Sequence, residues 1–200
     1  LAGVSHDLRT PLTRLKLQLS MLPKNSEITS MNSDIEEMET MINDYLSFAK
    51  DNVAENFSKI NLRKFFNEII KHYSSAKFNI KLIISGTEIE FNLRKQSFKR
   101  SISNIIENSK RYSNNSEISL KKTEDSLIIL IDDDGPGIDA QDRENAMRPF
   151  FRLETSRNKS TGGTGLGLSI ANNIILSHGG KLELLSSPLG GLRVKLSMPL

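Results

Sequence analysis

The amino-acid sequence predicts an α-helical hairpin followed by a mixed α/β domain. Three observations carry that expectation. The first fifty residues hold two apolar stripes at helical spacing; residues 51–58 are polar and aperiodic; and beyond them short apolar runs exchange with amphipathic ones.

In the hairpin, Leu1, Leu8, Leu12, Leu15, Leu19 and Leu22 keep one heptad phase, and Ile28, Met31, Ile35, Met38, Ile42, Tyr45 and Ala49 keep another. This is the seam of a coiled-coil-like bundle. The break over 23–26 folds the two helices back antiparallel. Two such helices cannot enclose both stripes. A second copy of the chain would complete a four-helix bundle, so a homodimer is expected; docking on the rest of the chain is the alternative cover.

After the boundary at 51–58, the pattern predicts a helix over 62–73, with Phe65, Phe66, Ile69 and Ile70 in the core, and a strand over 80–85. A longer helix follows over 95–112. Strands over 117–122 and 126–132 flank a turn at Glu124 and Asp125. Residues 152–164, rich in Ser, Asn, Lys, Thr and Gly, read as a mobile loop. A helix over 166–177 stops at Gly179 and Gly180, and strands over 181–186 and 192–198 close the domain. There is no internal repeat.

Composition narrows the function. Lys and Arg number 27 against 24 Asp and Glu, and no basic run is interleaved with aromatics, so no nucleic-acid partner is expected. The absence of cysteine excludes disulfides and thiolate metal sites and fits a reducing compartment. No apolar run approaches the roughly 20 residues that span a bilayer. The sequence opens at Leu1, five residues before His6, and reads as a segment of a longer protein.

Four clusters carry chemistry. In Ser5-His6-Asp7-Leu8-Arg9-Thr10-Pro11-Leu12, His6 lies off the leucine seam, where a neutral imidazole is a competent nucleophile. Thr10 is four residues on, hence on the same face, and Asp7 offers a carboxylate to orient the ring or accept its proton. Pro11 should bend the helix. An ordinary surface histidine is the competing reading. In the second cluster, Asn104 to Tyr112, the amides of Asn104 and Asn108 share a helix face away from Ile102, Ile105 and Ile106. An amide oxygen suits Mg²⁺, and Lys110 or Arg111 can reach phosphates.

The third cluster, Asp133-Asp134-Gly135-Pro136-Gly137, follows an apolar strand. Its glycines permit close backbone approach, and a carboxylate there could accept from the exocyclic amine of adenine; a plain turn is the alternative. The fourth, Gly162-Gly163-Thr164-Gly165-Leu166-Gly167-Leu168, opens a helix and suits phosphate, or else serves as a hinge. It is not a P-loop, since no Gly-Lys-Ser/Thr follows. His178 ends a helix, where an imidazolium would suit the dipole, and His72 reads as structural.

In this order the clusters resemble the H-box, N-box and two glycine boxes of the two-component sensor histidine kinases, the osmosensor type in particular. Met147-Arg148-Pro149-Phe150 is similar to the F-box, with Met147 where Phe is usual. The resemblance covers nearly the whole chain. It implies a dimerisation and phosphotransfer hairpin over 1–54 and a catalytic ATP-binding domain over 55–200. The latter would be an α/β sandwich of the histidine kinase, gyrase and Hsp90-type ATPase class.

The same resemblance implies roles. Asn108 would hold Mg²⁺, Lys110, Arg111 and Tyr112 would line the nucleotide, and Asp133 would recognise adenine beside Gly135 and Gly137. Arg152 and Lys159 would meet the phosphates, covered by Gly163, Thr164, Gly165, Leu166, Gly167 and Leu168. His6 would be the phosphoacceptor, Asp7 the general base, and Thr10 the residue positioning water in a phosphatase reaction. Asn104 stands where the hydrolysing relatives carry a water-activating glutamate, which favours transfer over hydrolysis. The implied partners are a second copy and a response-regulator receiver domain. The implied setting is the cytoplasmic portion of an inner-membrane sensor, joined to the membrane through a missing N-terminal region. Two other readings fit the same residues: a protein that acts chiefly as a phosphatase, and an ATP-binding remnant without transfer.

Overall fold

The computed structural model describes residues 2–23, 25–50, 55–84, 89–153 and 164–200, with the backbone alone for 2–9, 37, 40 and 43–50. Helix α1 (Ala2–Ser20) continues through Pro11, and α2 (Ser26–Lys50) returns beside it. Asn25 starts α2: its Oδ1 accepts from the Ile28 N–H at 2.7 Å, satisfying a donor that the first turn leaves without a helical partner. Lys16 of α1 and Glu39 of α2 form an ion pair at 2.6 Å across the hairpin.

The seam is only partly covered. Leu12 and Ile35 are buried, whereas Leu15, Leu22, Met31 and Met38, in the same heptad phases, are all more than 40% exposed. One hairpin leaves much of its apolar stripe in water.

Beyond it, β1 (Ser58–Asn61) pairs antiparallel with β3 (Glu90–Leu93). The main sheet has five strands: β2 (Asn79–Ile84), β4 (Asn115–Lys122), β5 (Ser126–Asp133), β6 (Lys181–Ser186) and β7 (Leu192–Pro199). They lie in the order β2-β4-β5-β7-β6, with β2 parallel to β4 and the other pairs antiparallel. Alternate residues of β4, β5 and β7 point inward, among them Ile118, Leu120, Leu127, Ile129, Ile131, Val194 and Leu196, all at most 2% exposed. Helices α3 (Leu62–Tyr73), α4 (Lys95–Tyr112) and α6 (Gly167–Ser177) supply the other layer; α5 (Arg143–Ala146) is a single turn. Phe65, Phe66 and Ile69 of α3, with Phe98, Ile102, Ile105 and Ile106 of α4, fill the space between the layers. The architecture is the expected one, a helical hairpin and an α/β sandwich.

Three local features depart from the sequence expectations. The small β1–β3 sheet has no counterpart among the expected strands, because four-residue strands such as Glu-Phe-Asn-Leu are too short to show alternation. Glu55 and Phe57, expected in a polar connection, dock their side chains on α4 and α6: Glu55 accepts from the start of α4, and the Phe57 ring meets His178 edge-on at 5.5 Å. His178 is not an imidazolium cap. Burial lowers its pKa, its Nδ1 bonds the Ile174 carbonyl at 2.7 Å, and its Nε2 accepts from the Arg94 N–H at 3.2 Å, which requires the neutral ring.

Candidate active site

Helix α4 presents the second cluster. Its buried face carries Ile102, Ile105, Ile106 and Ser109, which leaves Asn104 and Asn108 half-buried along one edge. The Asn104 Nδ2 is shut off from solvent and has no hydrogen-bond partner. A buried amide donor without an acceptor is costly unless a ligand or water supplies one. Gly167, the first residue of α6, faces this spot: a Cβ there would lie 3.9 Å from the Asn104 Cβ. The start of α6 thus meets the asparagine edge of α4, and the N–H groups of its first turn lack helical acceptors.

Asp133 ends β5 and is 4% exposed. Its Oδ1 accepts from the N–H groups of Gly135 at 3.0 Å and Leu192 at 2.9 Å, and its Oδ2 lies 3.3 Å from the Ser109 hydroxyl. Burial pushes its carboxyl above the ordinary carboxylate range, against the pull of those three donors. One oxygen is therefore fully engaged, while the other retains lone-pair capacity for a further donor. The neighbouring Asp134 has a different task. It accepts from the N–H groups of Asn114 and Asn115, both at 2.9 Å, and ties the end of β5 to the loop after α4. Those bonds, with the Asn115 side chain at 2.7 Å, hold its pKa below the usual value. Gly135 passes so near α4 that a Cβ would lie 2.9 Å from the Tyr112 carbonyl oxygen, and Gly137 lies against Gly191.

The Phe150 N–H donates to the Gly165 carbonyl at 3.0 Å, which joins the residues before 154 to those after 163. Met147 packs on the core, as an apolar residue at that position should. Arg152 is half-buried just past Phe150. Thr164 Oγ1 accepts from the Leu166 N–H at 3.4 Å, Leu166 is buried, and Leu168 packs on the core.

Residues 93–200 match the family described as histidine kinase-, DNA gyrase B- and HSP90-like ATPase, and residues 1–52 match the His Kinase A (phospho-acceptor) domain. The chain belongs to the two-component sensor histidine kinases. It is 32% identical to the sensor histidine kinase CpxA of Escherichia coli strain K12 over its whole length, covering 46% of that relative. It thus spans about half the length of the curated relatives it matches. Among solved structures, full-length ShkA in complex with AMPPNP superposes on 99% of the chain with a TM-score of 0.76 at 18% identity, covering 45% of ShkA. The histidine kinase domain of the E. coli osmosensor EnvZ covers 74% of the chain, and the chain 92% of it, with a TM-score of 0.57 at 30% identity.

In this sensor histidine kinase the expected site residues fall into three groups. Asn104 and Asn108 share an edge of α4 that meets Gly167, at the start of α6, beside Asn104; farther along α4, Ser109 meets Asp133 at the end of β5, Gly135 lies against Tyr112, Gly137 against Gly191, and Gly165 against Phe150 and Phe151. Lys110, Arg111 and Tyr112 instead line an open groove with Ser75, Lys77 and Phe78, at the outer end of α4. His6, Asp7 and Thr10 lie on α1, with Thr10 exposed; the side chains of His6 and Asp7, and the whole of Lys159 and Gly163, lie outside the described residues. Among the described residues, no helix is long and apolar enough to cross a membrane.

Sequence reasoning misses the residues that hold Asp133. Ser109 reads as no more than the residue after Asn108, yet it sits on the buried side of α4, under the carboxylate. Gly191 runs so close to Asp133 that any side chain there would drive into the carboxylate. The Gly190-Gly191 pair is visible in the sequence; its distant partner is not.

Proposed function

We propose that this chain transfers the γ-phosphoryl group of ATP to its own His6, and from there to an aspartate of a response-regulator receiver domain. The observation that carries the reading is that one helix, α4, meets the start of α6 at Asn104 and the end of β5 at Asp133. A buried carboxylate with an acceptor to spare stands at one end, and an orphaned amide beside a helix N-terminus at the other. The carboxylate suits the amine of adenine, and the helix start suits an anion.

The residues fit ATP and Mg²⁺. Asp133 would take the base, and Asn104 and residues 164–168 would face the phosphates, with Arg152 and Lys159 as further contacts, while Lys110, Arg111 and Tyr112 stand apart, in the groove at the outer end of α4. Asn108 would hold Mg²⁺, which supplies charge neutralisation on the phosphate oxygens. A neutral nitrogen of His6 attacks the γ-phosphorus, the bond to the bridging oxygen breaks, and ADP leaves. Asp7 holds the ring in the attacking tautomer and takes its proton. An aspartate oxygen of the receiver domain then displaces the imidazole. Thr10, one turn beyond His6, positions water for the reverse task, removal of the phosphoryl group from the regulator. Asn104 is a poor base, so water at the γ-phosphate is not activated and transfer prevails.

The half-covered seam supports a homodimeric four-helix bundle: Leu15, Leu22, Met31 and Met38 would be buried by a second hairpin. The full protein would be a membrane sensor with this portion in the cytoplasm. Incubation with Mg²⁺ and ATP labelled at either the α or the γ phosphate tests the reading. Label from the γ position alone is expected; label from both, or from neither, would refute it.

A further inference from the structure

The helix that carries Asn104 and Asn108 does not cap itself. Its N-cap residue, Arg94, makes no side-chain cap bond. The N–H groups of Gln96 and Ser97 go instead to Glu55, at 2.6 Å to Oε1 and 3.0 Å to Oε2, and the Ser97 hydroxyl adds a bond of 2.8 Å to Oε2. Glu55 stands between the end of α2 at Lys50 and the start of β1 at Ser58, in the connection from hairpin to sandwich. A carboxylate accepting from a helix start is favoured by hydrogen bonding and by the helix dipole together. These bonds hold the Glu55 carboxyl below its ordinary pKa, although burial opposes them.

The same junction is held from two further directions. Phe57 lies under the Arg94 guanidinium, 4.9 Å from its ring centroid, and meets His178 edge-on. Arg94 in turn donates through its side chain to the Ser177 carbonyl and through its backbone to His178 Nε2. Glu55 and Phe57 therefore seat the connection on the first turn of α4 and the last turn of α6. Those are the two helices whose other parts build the Asn104 and Gly167 edge of the site.

We propose that Glu55 is a positioning residue for phosphoryl transfer to His6: as the borrowed cap of α4, it fixes the connection to the helix that bears Asn104 and Asn108. Any reorientation of the connection is then passed to α4 and α6 as a unit. Without the cap, residues 55–57 become slack, and the share of time the γ-phosphate spends in line with His6 falls. Nucleotide affinity is untouched, because Asp133, Asn104 and Asn108 lie farther along the fold.

The inference rests on the kinase reading, and the test separates the two. The full chain, Glu55→Ala, Glu55→Gln and the control Glu124→Gln, which removes the same charge from the exposed turn between β4 and β5, are compared for labelling rate at saturating γ-labelled ATP. Their affinity for a fluorescent ATP analogue is measured alongside. Glu55→Ala should label roughly three- to tenfold more slowly with affinity within about twofold of wild type, Glu55→Gln should fall between, and Glu124→Gln should match wild type. Wild-type rates in Glu55→Ala, or an affinity loss that accounts for the slower labelling, would overturn the positioning role alone. A wild-type chain that takes no label would overturn the kinase reading, and this inference with it.

Discussion

The amide of Phe150 and the carbonyl of Gly165 are joined by a 3.0 Å hydrogen bond between the end of the F-box-like stretch and the start of the second glycine box. Both residues have positive φ, 63° for Phe150 and 69° for Gly165. A phenylalanine in that region is strained, and Phe150 is 55% exposed, so burial does not explain the conformation. Among the described residues, the bond to Gly165 holds the Phe150 backbone in this turn.

Gly165→Ala should therefore break this bond. A Cβ at Gly165 would lie 2.9 Å from the Phe150 carbonyl carbon and 2.9 Å from the Phe151 carbonyl oxygen, and its φ is unfavourable for alanine by about 1–2 kcal/mol. The expected result is a labelling rate at least about tenfold lower, with the midpoint of thermal unfolding of the sandwich lowered by only about 2–8 °C. Steady-state labelling and a melting curve check this together.

Asp133→Asn should remove nucleotide binding while the fold survives. Asparagine can keep its oxygen toward the Gly135 and Leu192 N–H groups, which places an NH₂ where the carboxylate had a free acceptor. The adenine amine then meets a donor. A loss of affinity of at least about tenfold is expected, measured by titration with the fluorescent analogue.

The helical hairpin, the long helix α4 and the strands of the main sheet are legible in the sequence because apolar periodicity runs long enough in each to declare itself. The positions of Asn104 and Asn108 on one edge of α4 follow from their spacing alone. The cradle of Asp133 does not, since Ser109 and the adjacent Gly191 and Leu192 reach it from two distant places along the chain. The charge of His178 is illegible for a related reason: its neutrality depends on the Arg94 N–H and on burial against Phe57 and Phe98, none of which is local to α6. Glu55 looks like one more polar residue in a connection because its acceptor role is defined only by the start of α4.

Acid should loosen the sandwich through His178. Its folded pKa lies below the ordinary 6.5, so between 6.5 and that lowered value the unfolded chain binds a proton that the folded chain does not. Its full contribution is present above 6.5 and is lost as pH falls through the lowered value. Arg94 opposes protonation, and Glu55, the acidic group facing the ring, favours it without reversing the sign. Urea unfolding at pH values of about 7.5 and about 5.5 should show a drop in midpoint that is smaller in His178→Gln.

The hairpin should associate through its open seam. Light scattering is expected to give the mass of a dimer for the chain, and of a monomer when Leu15 and Met31, 43% and 50% exposed, are both replaced by Glu.

The central claim is that His6 receives the phosphoryl group, and the most direct measurement is the chemistry of the label itself. The chain is incubated with γ-labelled ATP and Mg²⁺, then exposed to acid or alkali, beside His6→Gln. The expected label survives alkali, is lost in acid and is absent from His6→Gln, although that variant still binds ATP. Label that persists in His6→Gln, or that resists acid, would contradict that claim.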